Sequence, residues 1–413
     1  MNAPDRWPAL RLSLGIQVAP VTRPGLVIAL AVWLSGLAGS CRPNAPVDAS
    51  KFSVEVLEGV RYVHNHAPQL EGASPVRLEL AGKIGELEGR EEKDILYDPV
   101  DAARLPKGDI LVLEAGGCTV KRFADHGRLV SSFGQKGLGP GDFVSPYRLM
   151  LNVKKDLIYV ADGGRISWFG LDGRFVGSFK CRAARLGGSN ISQRYRTSGM
   201  SLLSDAHIIL PADVSLWEEA GAEALLTVYD GEGTAVRSFG AVTRFDDPLM
   251  TLNANIVYFA TDNNDNCYVA FAHQNRLDKY SRDGELLFSA DRRLPYEIRN
   301  EMKDEVFTSG AMQRVFSWPS VTSVAKGVAA DGKGRIWVLT FLIQPNRFGG
   351  FDNQHDVSLC YRFDVFDPQG IFQFSVSPPN VSFSGFSIYD DRLYFVDPSG
   401  ESCVYEYRIL DRD

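Results

Sequence analysis

The stretch FGQKGLGPGDFVSPY, Phe133 to Tyr147, has glycines at 134, 137, 139 and 141, which makes it a candidate anion-binding loop. A phosphate cradle needs glycines that open directly into a helix, so that free N–H groups and the helix dipole converge on the anion. Here Pro140, Pro146 and the strand-like run YRLMLNV follow instead, and the stretch reads as a wide connection between two strands. The cluster TDNNDN, Thr261 to Asn266, offers oxygen ligands suited to calcium. It lacks the glycine and distal glutamate of an EF-hand loop and reads as a turn. No cofactor is expected, calcium being the one ion for which donors are present. Asp162 and Arg165 stand three residues apart, as a solvated pair or as part of a site. The run FLIQPNRFGGFDNQHDVS gathers Phe341, Arg347, Phe348, Phe351 and His355. Aromatics with arginine on a glycine-containing loop suit recognition of a protein, peptide or carbohydrate, although the same aromatics can serve only to pin the loop down. No GxSxG nucleophile motif is present.

A chain of 413 residues can bury one large core or two to three smaller ones. Its first 40 residues stand apart from the fold. Arg6, Arg11 and Arg23 precede an apolar run, Gly25 to Leu37, that is too short for a comfortable membrane span and ends in LAGSC. This arrangement resembles a bacterial lipoprotein signal, with Cys41 as the lipidated first residue of the mature chain. Ala38 stands where such signals prefer leucine, and an ordinary cleaved signal peptide is the competing reading. Residues 41–52 then form a tether and 53–413 the folded domain. The protein is expected to be exported and held at the cell envelope, facing the periplasm or the surface, with its lipid as the only membrane contact.

Residues 1–40 carry three of the 44 basic and one of the 51 acidic residues, which leaves a net charge of −9 on the remainder. An acidic surface argues against nucleic acid as a partner. Cys118, Cys181, Cys267, Cys360 and Cys403 show no zinc-type spacing and read as small buried hydrophobes.

The elements that position these groups come from a repeat. FADHG, FGLDG, YDGEG, YSRDG and FDPQG, beginning at 123, 169, 229, 280 and 366, each place an aromatic, three residues and a glycine before an apolar run. Each copy therefore reads as strand, tight turn, strand. A second set of apolar runs precedes the hairpins, at 109, 156, 206, 265, 334 and 391, and one further strand precedes each of these. The turn glycines are 46, 60, 51 and 86 residues apart, periods that fit four-stranded units with variable loops. The sixth unit lacks its last strand. VRLELAG, Val76 to Gly82, resembles the other fourth strands and is predicted to complete it, so deleting residues 42–70 should be tolerated much better than deleting 42–84. The expected fold is all-β, a six-bladed β-propeller with four-stranded blades, closed by an N-terminal strand.

The aromatic hairpins, together with GKGRIWVL, FDVFDPQG and the GLGPGDF connector, resemble the NHL-repeat and TolB-like six-bladed propellers, especially exported bacterial members with a GxGPGEF connector. The resemblance implies the fold and leaves the activity open. Some such propellers are enzymes. Lactonases of the gluconolactonase type hold calcium with Glu, Asn and Asp, and amidating lyases hold zinc with histidines. The histidines at 64, 66, 126, 207, 273 and 355 fall at unequal repeat positions, and only His273 and His355 are placed to reach one common face, too few for a three-histidine zinc site. A binding or scaffolding propeller is therefore the first reading, and a metal-dependent lyase or lactonase the alternative.

In a propeller the loops between second and third strands share one face with the connectors between blades. Between those strands the spacing is 13 to 16 residues in four units but 23 and 32 in the third and fifth. The connector into the fifth unit spans 50 residues from turn glycine to second strand, against 21 to 33 elsewhere. All three insertions fall on one face, where binding is expected. The inserted connector has Ile298, Met302 and Val306 at helical spacing and is predicted to form a short amphipathic helix capping the disc.

Overall fold

A computed structural model describes residues 47–412, except 73, 86–93, 125–126, 181–198, 213–223, 310–311, 347–349 and 352–355. Among them, an N-terminal hairpin of β1 (Phe52–Leu57) and β2 (Val60–Asn65) is followed by β3 (Val76–Ile84). Blade one comprises β4 (Pro99–Arg104), β5 (Ile110–Glu114), β6 (Thr119–Phe123) and β7 (Leu129–Phe133). Blade two comprises β8 (Pro146–Asn152), β9 (Leu157–Asp162), β10 (Arg165–Gly170) and β11 (Phe175–Lys180). Blade three comprises β12 (Ser201–Leu202), β13 (Ile208–Pro211), β14 (Ala224–Tyr229) and β15 (Ala235–Ala241). Helix α1 (Pro248–Ala254) leads into blade four, which is β16 (Val257–Thr261), β17 (Cys267–Phe271), β18 (Leu277–Tyr280) and β19 (Leu286–Arg292). A separate hairpin of β20 (Glu301–Ser309) and β21 (Met312–Ser320) precedes blade five. That blade is β22 (Ala325–Ala330), β23 (Ile336–Phe341), the single-turn helix α2 (Val357–Cys360), β24 (Tyr361–Phe366) and β25 (Phe372–Val376). Blade six is β26 (Gly385–Tyr389), β27 (Arg392–Asp397), β28 (Cys403–Asp411) and β3.

Each blade is an antiparallel sheet in sequence order from the centre outwards, and β3 completes blade six by pairing with β28 from Val76↔Asp411 to Ile84↔Val404. The closing strand is thus the one the repeat predicts. The second strands are buried along their whole length in β5, β17 and β23. Neighbouring blades cover both faces of such a strand, so its sequence is continuously apolar instead of alternating. The buried apolar side chains form six clusters, each shared by two adjacent blades. One of them joins Tyr394, Val396 and Val404 of blade six to Ala102, Ile110 and Phe123 of blade one, which closes the ring. The repeated turn glycine has a packing role as well as a conformational one. Gly173 has φ +82°, and a Cβ there would stand 2.7 Å from the ring of Phe133 in the preceding blade. Gly370 meets Phe288 in the same way at 2.8 Å.

The structure corrects one expectation and adds a finding that the repeat did not show. The inserted connector forms the β20–β21 hairpin, paired from Glu301↔Ser320 to Ser309↔Met312, and not a helix. Positions 298, 302 and 306 share a face in a strand as well as in a helix, because a spacing of four is a multiple of the strand period. The β-favouring Val315, Phe316 and Trp318 of the second strand then decide the outcome. The added finding concerns the N-terminal hairpin and the residues after it, up to 70. β2 runs parallel to β19 with Arg61↔Phe288 to Asn65↔Arg292, making blade four a six-stranded sheet. Val63 is fully buried at the junction of blades four and five. The following residues continue along blade five, where Gln69 N–H donates to Phe372 O at 2.9 Å and Leu70 N–H to Gln373 O at 2.8 Å. Residues 52–70 thus form an outer belt along blades four and five.

Cys118, Cys267, Cys360 and Cys403 are buried and no disulfide joins any two of them. Burial pushes the Cys118 and Cys360 thiols up, which keeps them inert hydrophobes. Cys41 and Cys181 lie outside the described residues, as does His126.

Candidate functional site at the elaborated face

The strand order places the loops between second and third strands, and the connectors between blades, at one end of the disc. The glycine-rich connector is there, and its own side chains fill it. Asp142 accepts Gly139 N–H at 2.9 Å, and a Cβ on Gly139 would come within 2.8 Å of that carboxylate. An intrinsic carboxylate thus takes the anion position, while Phe143 plugs the core between blades one and two. Asp162 and Arg165 act on the same connector. The side chain of Asp162 is 1% exposed and accepts Val144 N–H at 2.9 Å and Ser145 N–H at 2.5 Å. Arg165 donates to Gly139 O at 3.1 Å and to Asp142 O, and lies 3.3 Å from Asp162. The pair pins the connector from blade one to blade two.

TDNNDN forms the turn between β16 and β17. Asp262 accepts the N–H groups of Asn264 and Asn266 at 2.9 and 3.0 Å, and Asp265 accepts Ser204 N–H at 2.7 Å from blade three. The turn is on the plain face, and its carboxylates serve backbone donors. No group of three or more His, Cys, Asp or Glu placed to hold a metal occurs among the described residues.

The connector into blade five and the start of the blade-five loop are knitted together. Tyr296 donates to Ser323 O at 3.1 Å and Phe341 O at 3.0 Å, and burial pushes its phenol up to about 12. Gln344 takes Ser323 N–H at 2.7 Å and returns a bond to Ser323 O at 3.0 Å. His273, half-buried, has Nδ1 3.0 Å from Thr322 O, and its own carbonyl accepts Asn300 Nδ2 at 2.9 Å. His273 therefore holds the inserted connector.

Of the loop residues, Phe341 is 8% exposed and pairs across the sheet with Tyr361, their rings 5.0 Å apart. Phe351 packs edge-on against Tyr361 at 5.4 Å. Phe341 and Phe351 thus anchor the base of the loop. Arg347, Phe348 and His355 lie outside the described residues.

Sequence reasoning did not find Lys326, the second residue of β22. It sits at a bulge, since Ala325 pairs with Thr340 and Gly327 with Leu339. Its ammonium lies 5.4 Å from the centre of the Tyr361 ring and 6.0 Å from that of Phe383. Burial pulls its pKa below the usual lysine value, with no opposing effect from a carboxylate. Burial, with smaller contributions from Cys360 and Tyr258, pushes the Tyr361 phenol up. An isolated lysine in an apolar run gives no sequence signal, because its aromatic neighbours come from other parts of the chain.

These features define an all-β, six-bladed propeller with one elaborated face. No family model matches the sequence, and no curated protein matches it. Among solved structures, the chain is similar to a predicted exported protein from Bacteroides fragilis, at 12% identity and a TM-score of 0.50 over 85% of this chain and 99% of that one. It is also similar to a DUF4221 family member from Bacteroides vulgatus, at 10% identity and a TM-score of 0.49 over 81% and 98%. Virginiamycin B lyase from Staphylococcus aureus aligns at 11% identity and a TM-score of 0.42 over 87% and 94%. At these identities the likeness concerns the fold alone.

Proposed function

We propose that this protein is a non-catalytic binding or scaffolding propeller of the bacterial envelope, related to the NHL-repeat and TolB-like propellers. It is held at the membrane by lipid on Cys41 and engages a protein, peptide or carbohydrate through its elaborated face. The observation that carries this reading is the concentration of inserted segments on that face, where Tyr296, Gln344 and His273 tie the inserted connector to the start of the blade-five loop and to blade four. No described helix is long and apolar enough to cross a membrane, and a diacylated cysteine would supply an anchor without one.

The test replaces Gln344 to Gln354 with a short Gly/Ser linker and compares pull-down from envelope extract. Loss of a partner with the fold intact supports the reading, and retention of every partner overturns it. Cys41→Ser should release the protein or leave it unprocessed, and equal membrane retention would refute the anchor. Stoichiometric calcium or zinc in the purified protein would favour the metal-dependent lyase or lactonase instead.

A further inference from the structure

The geometry points to a carboxylate-binding site at the channel end of blades five and six, with Lys326 as the cation and Tyr361 and Phe383 as the walls. This rests on the reading of the elaborated face as the binding face and names the ligand chemistry it would take. Lys326 is the second residue of the innermost strand of its blade, Tyr361 follows the blade-five loop, and Phe383 lies in the connector to blade six. All three are therefore at the elaborated end of the disc.

Two other basic side chains on innermost strands are neutralised. Arg148 lies 3.4 Å from Asp101, and Arg104 lies 2.9 Å from Glu406. Lys326 is different. Among the described residues no carboxylate and no hydrogen-bond acceptor reaches its ammonium, whose contacts are the two ring faces. On the neighbouring inner strand a Cβ added to Gly385 would meet nothing within 4 Å, whereas the next pair, Gly327 and Phe386, is in tight contact at 2.6 Å. A half-buried ammonium without a carboxylate partner has lost part of its hydration, and an incoming anion would form a charge-assisted hydrogen bond that offsets that cost.

The charge count selects the anion. One ammonium matches a monoanionic carboxylate, while a dianionic phosphate would leave one charge unbalanced in a poorly solvated site. The two rings select a flat or apolar body attached to that carboxylate.

The experiment titrates the full mature chain with benzoate, using acetate, benzyl alcohol and phenyl phosphate as comparisons. It follows the lysine signals of reductively methylated protein by NMR, with Lys326 assigned from Lys326→Met. Benzoate is expected to bind one to one and to raise the low Lys326 pKa. Acetate and benzyl alcohol should each bind about tenfold more weakly or worse, as should benzoate to Lys326→Met and Lys326→Gln. Both variants should melt close to the parent, because they remove a half-buried charge that has no carboxylate partner, so lost binding would not reflect lost fold. Benzoate binding unchanged in either variant, absence of binding to the parent, or tighter binding of phenyl phosphate would each overturn the assignment. None of these outcomes depends on the blade-five loop exchange, so failure of this site and failure of the binding-face reading are separable.

Discussion

Asn65 bonds to the backbone of Phe372 across 307 residues of sequence, its Oδ1 accepting the Phe372 N–H at 2.8 Å. Its Nδ2 donates to Gly370 O at 3.0 Å and to Asp291 O at 2.8 Å. One buried amide thereby joins the N-terminal hairpin, blade four and the turn of blade five. Asn65→Ala leaves these backbone groups buried without partners and should destabilise the protein by about 3 kcal/mol. Urea unfolding checks this, and a change below about 1 kcal/mol would show that water replaces the amide.

Truncation should distinguish a belt from a tether. Removing residues 42–70 strips β2 from β19 and exposes the junction at Val63, so the melting temperature should fall clearly. Removing 42–84 also takes the closing strand and should abolish cooperative melting. Calorimetry that finds the shorter deletion as stable as the parent would show that the belt carries no stability.

Arg292 and Asp364 form a buried ion pair at 2.5 Å between blades four and five, with Thr340 bonded to both. Asp364→Ala leaves a buried guanidinium beside Arg362 and should cost about 3–5 kcal/mol. The double change Arg292→Met, Asp364→Leu should recover most of that loss, since apolar residues of similar volume often replace a buried pair without penalty. Equal losses in the single and double variants, measured by chemical denaturation, would mean that packing and not the uncompensated charge dominates.

Acid should weaken the clasp between blades six and five. At Asp411, partial burial raises the pKa, but the hydrogen bonds from Lys333 and Arg335 outweigh it and hold the carboxyl below its ordinary 3.8. A folded pKa below the unfolded one gives stability that is present above pH 3.8 and is lost as pH falls through the folded value. Asp411→Asn should therefore lower stability slightly at pH 7, by well under about 1 kcal/mol for a half-exposed pair, and match the parent near pH 2. Melting curves across that range test the sign.

The residues by themselves determined the propeller. The aromatic–glycine hairpins are local signals, because a tight turn needs its positive-φ glycine wherever the blade ends up. Val76 to Gly82 was legible as the missing fourth strand because its pattern matches the others and the sixth unit lacks one. Other features needed the folded chain. The β20–β21 hairpin was hidden because Ile298, Met302 and Val306 fit both periods. The pairing of β2 with β19 was hidden because parallel contacts between distant segments leave no local signature. Asp162 and Arg165 show only as a charge pair in sequence, and the fold brings the glycine-rich connector to them. Lys326 was silent for the same reason. Its surroundings are assembled from Tyr361 and Phe383, 35 and 57 residues further along the chain, and only closure of the ring sets an unpartnered ammonium between them.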